Sequence, residues 1–170
     1  MRNHKAKSVA LGGALFALAI ALSLMESAIT PLLGLMPGVK LGLSNIVVMY
    51  ALVYLGFRQA LLLAVLKALF SLSFFGVTAG FLSGCGGIFS LLVMALAQRL
   101  GATHYILSVC GALAHNAGQL LGASVILSSA LALTYMPVLM VSGLVMGGIT
   151  ATGMKVLLPA LKRVGLAPQK

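Results

Sequence analysis

Acidic side chains are almost absent. The chain of 170 residues has no aspartate and one glutamate, Glu26, against eleven lysines and arginines. A single carboxylate excludes a paired acid–base dyad. It also excludes the aspartate-rich magnesium sites that diphosphate chemistry requires. No GxxxxGK[ST] run is present, so the chain does not hydrolyse ATP by itself. Cysteine is scarce as well. Cys85 and Cys110 lie far apart in apolar segments without a CxxC spacing, and read as buried free thiols. A metal centre is not expected. One histidine and one glutamate are too few ligands without the distant His4 or His104. No cofactor is expected, and the chain reads as a non-enzyme.

Charge of either sign is rare. Only 7% of residues are charged and 61% are hydrophobic, with a mean hydropathy of +1.16. So few charges cannot cover a soluble domain of this size. Lipid is therefore the solvent over most of the surface. A spanning helix takes roughly 20 apolar residues, so about six fit. The expected architecture is an all-α integral membrane protein, one bundle over residues 1–170. Basic tails are expected at about 1–8 and 159–170. The apolar run after Arg2, Lys5 and Lys7 continues toward Glu26, and is read as an uncleaved first helix rather than a signal peptide.

The net charge of +10 does not indicate nucleic acid. Its basic residues form no patch with interleaved aromatics. They sit at the ends of apolar segments. Arg2, Lys5, Lys7, Arg58, Arg99, Lys155, Lys162, Arg163 and Lys170 fall on the side of the termini; only Lys40 and Lys67 do not. By the positive-inside rule this predicts both termini in the cytoplasm.

What polarity exists is concentrated. The stretch from Glu26 to Tyr50 carries the glutamate, Pro31, Pro37, Lys40, Ser44 and Asn45. The first helix is expected from Val9 to Met25. Gly34 and Gly38 join the two prolines in forbidding a continuous helix over 26–42, which reads as a re-entrant or lid-like loop. The second helix is expected over Leu43–Leu55, capped by Ser44 or Asn45. The others are expected over Gln59–Gly76, Phe81–Leu100, Tyr105–Ser129 and Met136–Leu158, with a break near Leu133 and Thr134.

Ionisable and polar groups inside a membrane are costly, and are candidates for function. They are Glu26, Lys40, Ser44, Asn45, Lys67, His115, Asn116 and Gln119, read together as a substrate site. His115 and Gln119 are four apart and share a helix face. Gly38, Gly42 and the start of the second helix offer backbone N–H groups to an anion. Lys67 has two readings. It pairs with Glu26 and locks the first helix to the third, or it holds an anionic substrate. The surplus of Lys40 and Lys67 over Glu26 favours the second. Small residues also recur on the first helix, at Ala10, Gly13, Ala14 and Ala17, where they permit close approach of another helix. That face packs within the bundle or docks a partner.

Three segments together carry a family resemblance: Leu24–Pro31 with its glutamate, PGVKLGLSNIVVMYAL over Pro37–Leu52, and AHNAGQL over Ala114–Leu120. They resemble the bacterial family of heptaprenyl diphosphate synthase component I, also called Gx transporters, over about Leu11 to Leu158. The resemblance implies a protein of the bacterial cell membrane, similar to the substrate-binding S components of energy-coupling factor (ECF) transporters. These have about six helices, a lid-like first loop and a docking stripe on the first helix. It also implies a transmembrane coupling subunit and ATPase subunits as partners. Relatives are linked to quinone-tail synthesis and to extracellular flavin-linked electron transfer, so a non-transporting partner of a prenyl synthase or redox system is the alternative. Where the family's third helix usually has arginine, this chain has Lys67, which lacks the planar fork that grips phosphate at two points.

Overall fold

A computed structural model describes residues 2–33, 42–127 and 136–163. They form six α-helices and one short 3₁₀ turn: α1 (Arg2–Ile29), the turn Thr30–Leu33, α2 (Asn45–Tyr54), α3 (Phe57–Phe75), α4 (Val77–Arg99), α5 (His104–Leu127) and α6 (Met136–Arg163). Five of these are long and apolar enough to cross a membrane. The exception is α2. Its ten residues extend about 15 Å, half of a hydrocarbon core.

That short helix is the hub of the bundle. It touches every other helix, whereas α1 packs only on α2, α3 and the turn that follows it. Its sequence, NIVVMYALVY, is apolar on all sides, and seven of its ten residues are buried. A helix without a polar face has to be enclosed. Around it α3, α4, α5 and α6 pack as successive neighbours. Gly56 and Gly76, at φ +94° and +89°, make the tight turns that bring α3 back along α2 and α4 back along α3.

Glycines also set how closely the long helices approach. A Cβ on Gly80 would stand 2.6 Å from Leu72 Cα, and one on Gly147 2.7 Å from Val109 Cα. Glycines of α5 and α6 serve packing in the same way. Gly118 lies against Cys85 and Gly86, and Gly143 against Leu113. In lipid, backbone proximity of this kind replaces hydrophobic drive.

The main apolar core lies at one end of the bundle. It joins Leu11 and Leu15 of α1, Leu52 of α2, Ala60 and Leu63 of α3, Met94 of α4, Leu107 of α5 and Met154 of α6. The starts of α1, α3 and α5 therefore meet the ends of α2, α4 and α6. The six helices alternate in direction, and the first and last have their chain-terminal ends on the same side.

Several expected boundaries are corrected. The first helix does not stop at Met25. It runs to Ile29, so Glu26 is helical and not part of a loop. Pro31 then removes the donor for the next helical bond, and the chain tightens into the 3₁₀ turn, with the Thr30 hydroxyl donating to the Glu26 carbonyl at 2.7 Å. The second helix starts at Asn45, two residues late. Ser44 occupies its cap position without making a side-chain cap bond, because its hydroxyl is engaged elsewhere. The last helix passes through Pro159 and ends at Arg163, beyond the expected Leu158, while its apolar span ends at Leu157. Residues 34–41 of the loop expected over 26–42, with Lys40 among them, and the break near Leu133 and Thr134 lie outside the described residues.

Candidate functional site

Residues 42–44 lead into α2 inside the bundle, and the polar side chains of the surrounding helices converge there. The Glu26 carboxylate of α1 reaches across to this turn. Its Oε1 accepts the Gly42 N–H, and accepts the Leu43 N–H at 3.0 Å. Gly42 has φ +96°, a conformation that aims its N–H at the carboxylate and that a side chain would strain. Glu26 thus occupies the place that sequence reasoning assigned to an anionic ligand.

Ser44 connects the carboxylate to the lysine. Its hydroxyl donates to Glu26 Oε2 at 3.5 Å and accepts from Lys67 Nζ at 3.0 Å. The same ammonium donates to Asn45 Oδ1 at 3.1 Å. The Asn45 amide then donates to Ser90 Oγ on α4 at 3.4 Å, and Ser90 donates to the Gly111 carbonyl of α5 at 2.7 Å. One continuous network thereby links α1 to α5 through α2, α3 and α4. Glu26 is 0% and Lys67 1% exposed. Charges this deep persist only where polar atoms replace water around them.

His115 and Gln119 stand beside this network on α5. The Gln119 amide nitrogen is 2.7 Å from His115 Nε2. The imidazole lies in a slot between two glycines. A Cβ on Gly86 would be 2.8 Å from His115 Cε1 and Nδ1, and one on Gly42 3.3 Å from His115 Cδ2. Only the absence of side chains at both positions admits the ring.

Asn116 belongs to a different contact. Its amide donates to the Leu139 carbonyl at 2.6 Å and to Ser142 Oγ at 3.3 Å, tying α5 to α6. Its Oδ1 is buried without a hydrogen-bond partner among the described residues. The structure thus brings Glu26, Ser44, Asn45 and Lys67 into one network, places His115 and Gln119 against it, and turns Asn116 toward α6.

Sequence reasoning missed Ser90, Gly86 and two further buried serines, Ser23 and Ser71. A signal for the last two was present. Ser71 lies one turn beyond Lys67, and Ser23 one turn before Glu26, each on the inward face of its helix. Nothing in the local sequence distinguishes Ser90 from other serines in apolar helices.

The small residues of α1 face outward. Ala10, Gly13, Ala14 and Ala17 are all exposed, while Leu11, Leu15 and Ala19 form the buried stripe. A Cβ on Gly13 would meet nothing within 4 Å.

The fold and the network define a multi-pass helical membrane protein with a buried polar site at the start of a half-length central helix. The model of the heptaprenyl diphosphate synthase component I family matches residues 15–157, and the chain belongs to that family. The description is of one component of a synthase, which implies a partner component. No curated protein and no solved structure matches the chain.

Proposed function

We propose that the chain is a substrate-binding membrane subunit of the ECF transporter type, taking a small anionic or polar metabolite. One observation carries the reading. Helices α1 to α4 of an otherwise apolar bundle send scarce polar side chains to the start of α2, and His115 of α5 stands beside it. Intramembrane ionisable groups at a discontinuous helix are the usual form of a transporter's binding site. The outward face of Ala10, Gly13, Ala14 and Ala17 supports a docking role for α1, since these residues are exposed among the described residues. Both termini are assigned to the cytoplasm of a bacterial plasma membrane by their basic residues. The chain performs no catalysis itself, for want of a second carboxylate.

The family description favours a second reading, in which the chain is the membrane partner of a polyprenyl diphosphate synthase and transports nothing. Affinity purification from native membranes separates the two. The transporter reading expects a coupling subunit and ATPase subunits with the wild type, and their loss with Ala14→Leu, whose bulk keeps a partner helix at a distance. Recovery of a synthase without ATPases would replace the first reading with the second.

A further inference from the structure

Glu26 is the only carboxylate side chain in the protein, and it spans the gap between α1 and the turn that starts α2. It accepts two backbone N–H groups and the Ser44 hydroxyl, and through Ser44 it faces the Lys67 ammonium. Every one of these groups donates to Glu26 or to the hydroxyl that reaches it. An ionised carboxylate satisfies such a donor set. A protonated one brings a further donor and loses about half the strength of each accepted bond.

We infer that Glu26, Ser44 and Lys67 form a proton-sensitive clasp that holds residues 42–44 against α1. The clasp is closed when Glu26 is ionised, and opens as acid protonates it. The inference stands whether or not the chain transports.

Among the described residues, α3 presents Lys67, and α5 brings His115 to the other side of Gly42. The titratable groups of α2, Tyr50 and Tyr54, lie one to two turns or more along the helix toward the apolar core. Arg58 lies at the start of α3, beside the end of α2. Glu26 ties the end of α1 to the residues that lead into α2, while Leu11, Leu15 and Ala19 hold the rest of α1 in the apolar core. Opening the clasp therefore loosens the far half of α1 and leaves the near half in the core.

Amide hydrogen exchange of the full chain in lipid nanodiscs tests this, with rates at each pH corrected for intrinsic exchange. In the wild type, protection of the Gly42 and Leu43 amides should fall about tenfold on passing from neutral to acidic pH. Glu26→Gln should show the low protection at every pH. The Glu26→Gln/Lys67→Met double variant removes both charges together and serves if the single variant does not fold; its protection should also be independent of pH. Wild-type protection that does not change with pH would overturn the inference. So would a variant without the carboxylate that keeps the wild-type pH response.

Discussion

Lys67→Met is the most informative single perturbation, because its cost can be worked from the contacts. Methionine nearly preserves the volume and removes the ammonium. Two hydrogen bonds from a charged donor disappear, to Ser44 Oγ at 3.0 Å and to Asn45 Oδ1 at 3.1 Å. Each contributes roughly 1.5–3 kcal/mol. The loss also leaves the fully buried Glu26 carboxylate without its nearby cation, so the expected destabilisation is about 3–5 kcal/mol. Glu26→Gln leaves the opposite charge stranded and should cost a similar amount. With both replaced no charge is stranded, and what remains is an imperfectly paired Asn45 carbonyl oxygen and weaker bonds to the Gly42 and Leu43 amides. The double variant should therefore lose only about 2–3 kcal/mol, a coupling energy of at least about 3 kcal/mol. Reversible unfolding in mixed micelles, followed by circular dichroism, measures all four states of the cycle. Additivity of the two replacements within about 0.5 kcal/mol would show that the two charges do not act as one unit. It would also remove the electrostatic basis of the clasp.

The remaining predictions concern packing and topology. Gly80→Ala and Gly147→Ala place a methyl group within 2.6–2.7 Å of a neighbouring backbone, and should each cost about 1–3 kcal/mol in the same unfolding assay. Gly13→Ala meets open space and should be neutral or stabilising by up to about 1 kcal/mol; equal losses at all three sites would contradict the helix crossings described here. Reporters fused after Lys170 should be active in the cytoplasmic form and silent in the exported form, and the reverse result would invert the proposed orientation.

Much of this protein was legible without coordinates. Hydropathy alone determines an all-helical membrane bundle, since apolar runs of this length have no other stable form in lipid. The rarity of polar residues singles out Glu26, Lys40, Ser44, Asn45, Lys67, His115, Asn116 and Gln119, because each such side chain in a hydrocarbon environment requires a reason; Asn116 proved to face α6, and Lys40 lies outside the described residues. The alternation of basic residues along the chain predicts an even number of crossings; in the structure the start of α1 and the end of α6 meet at one end of the bundle.

Other features depend on distance between segments far apart in the chain. Proline spacing predicted a loop beginning at Glu26, yet α1 continues for another turn, because the break is made by Pro31 and not by the glutamate. The second helix, expected over Leu43–Leu55, is already too short for a full span, but the sequence does not show what encloses it. Its partners on all sides, contributed by every other helix, allow it to end inside the bundle. Ser44 at a helix start reads as a cap, and becomes a bridge only because Lys67 and Glu26 arrive beside it from other helices. His115 and Asn116 are neighbours in sequence and point to different helices, a consequence of the 100° step between helical residues and of what lies on each side. Composition alone determined which residues are too polar for lipid. The partners that replace water around each of them were decided by tertiary structure, because those partners lie on other helices and meet only when the helices pack.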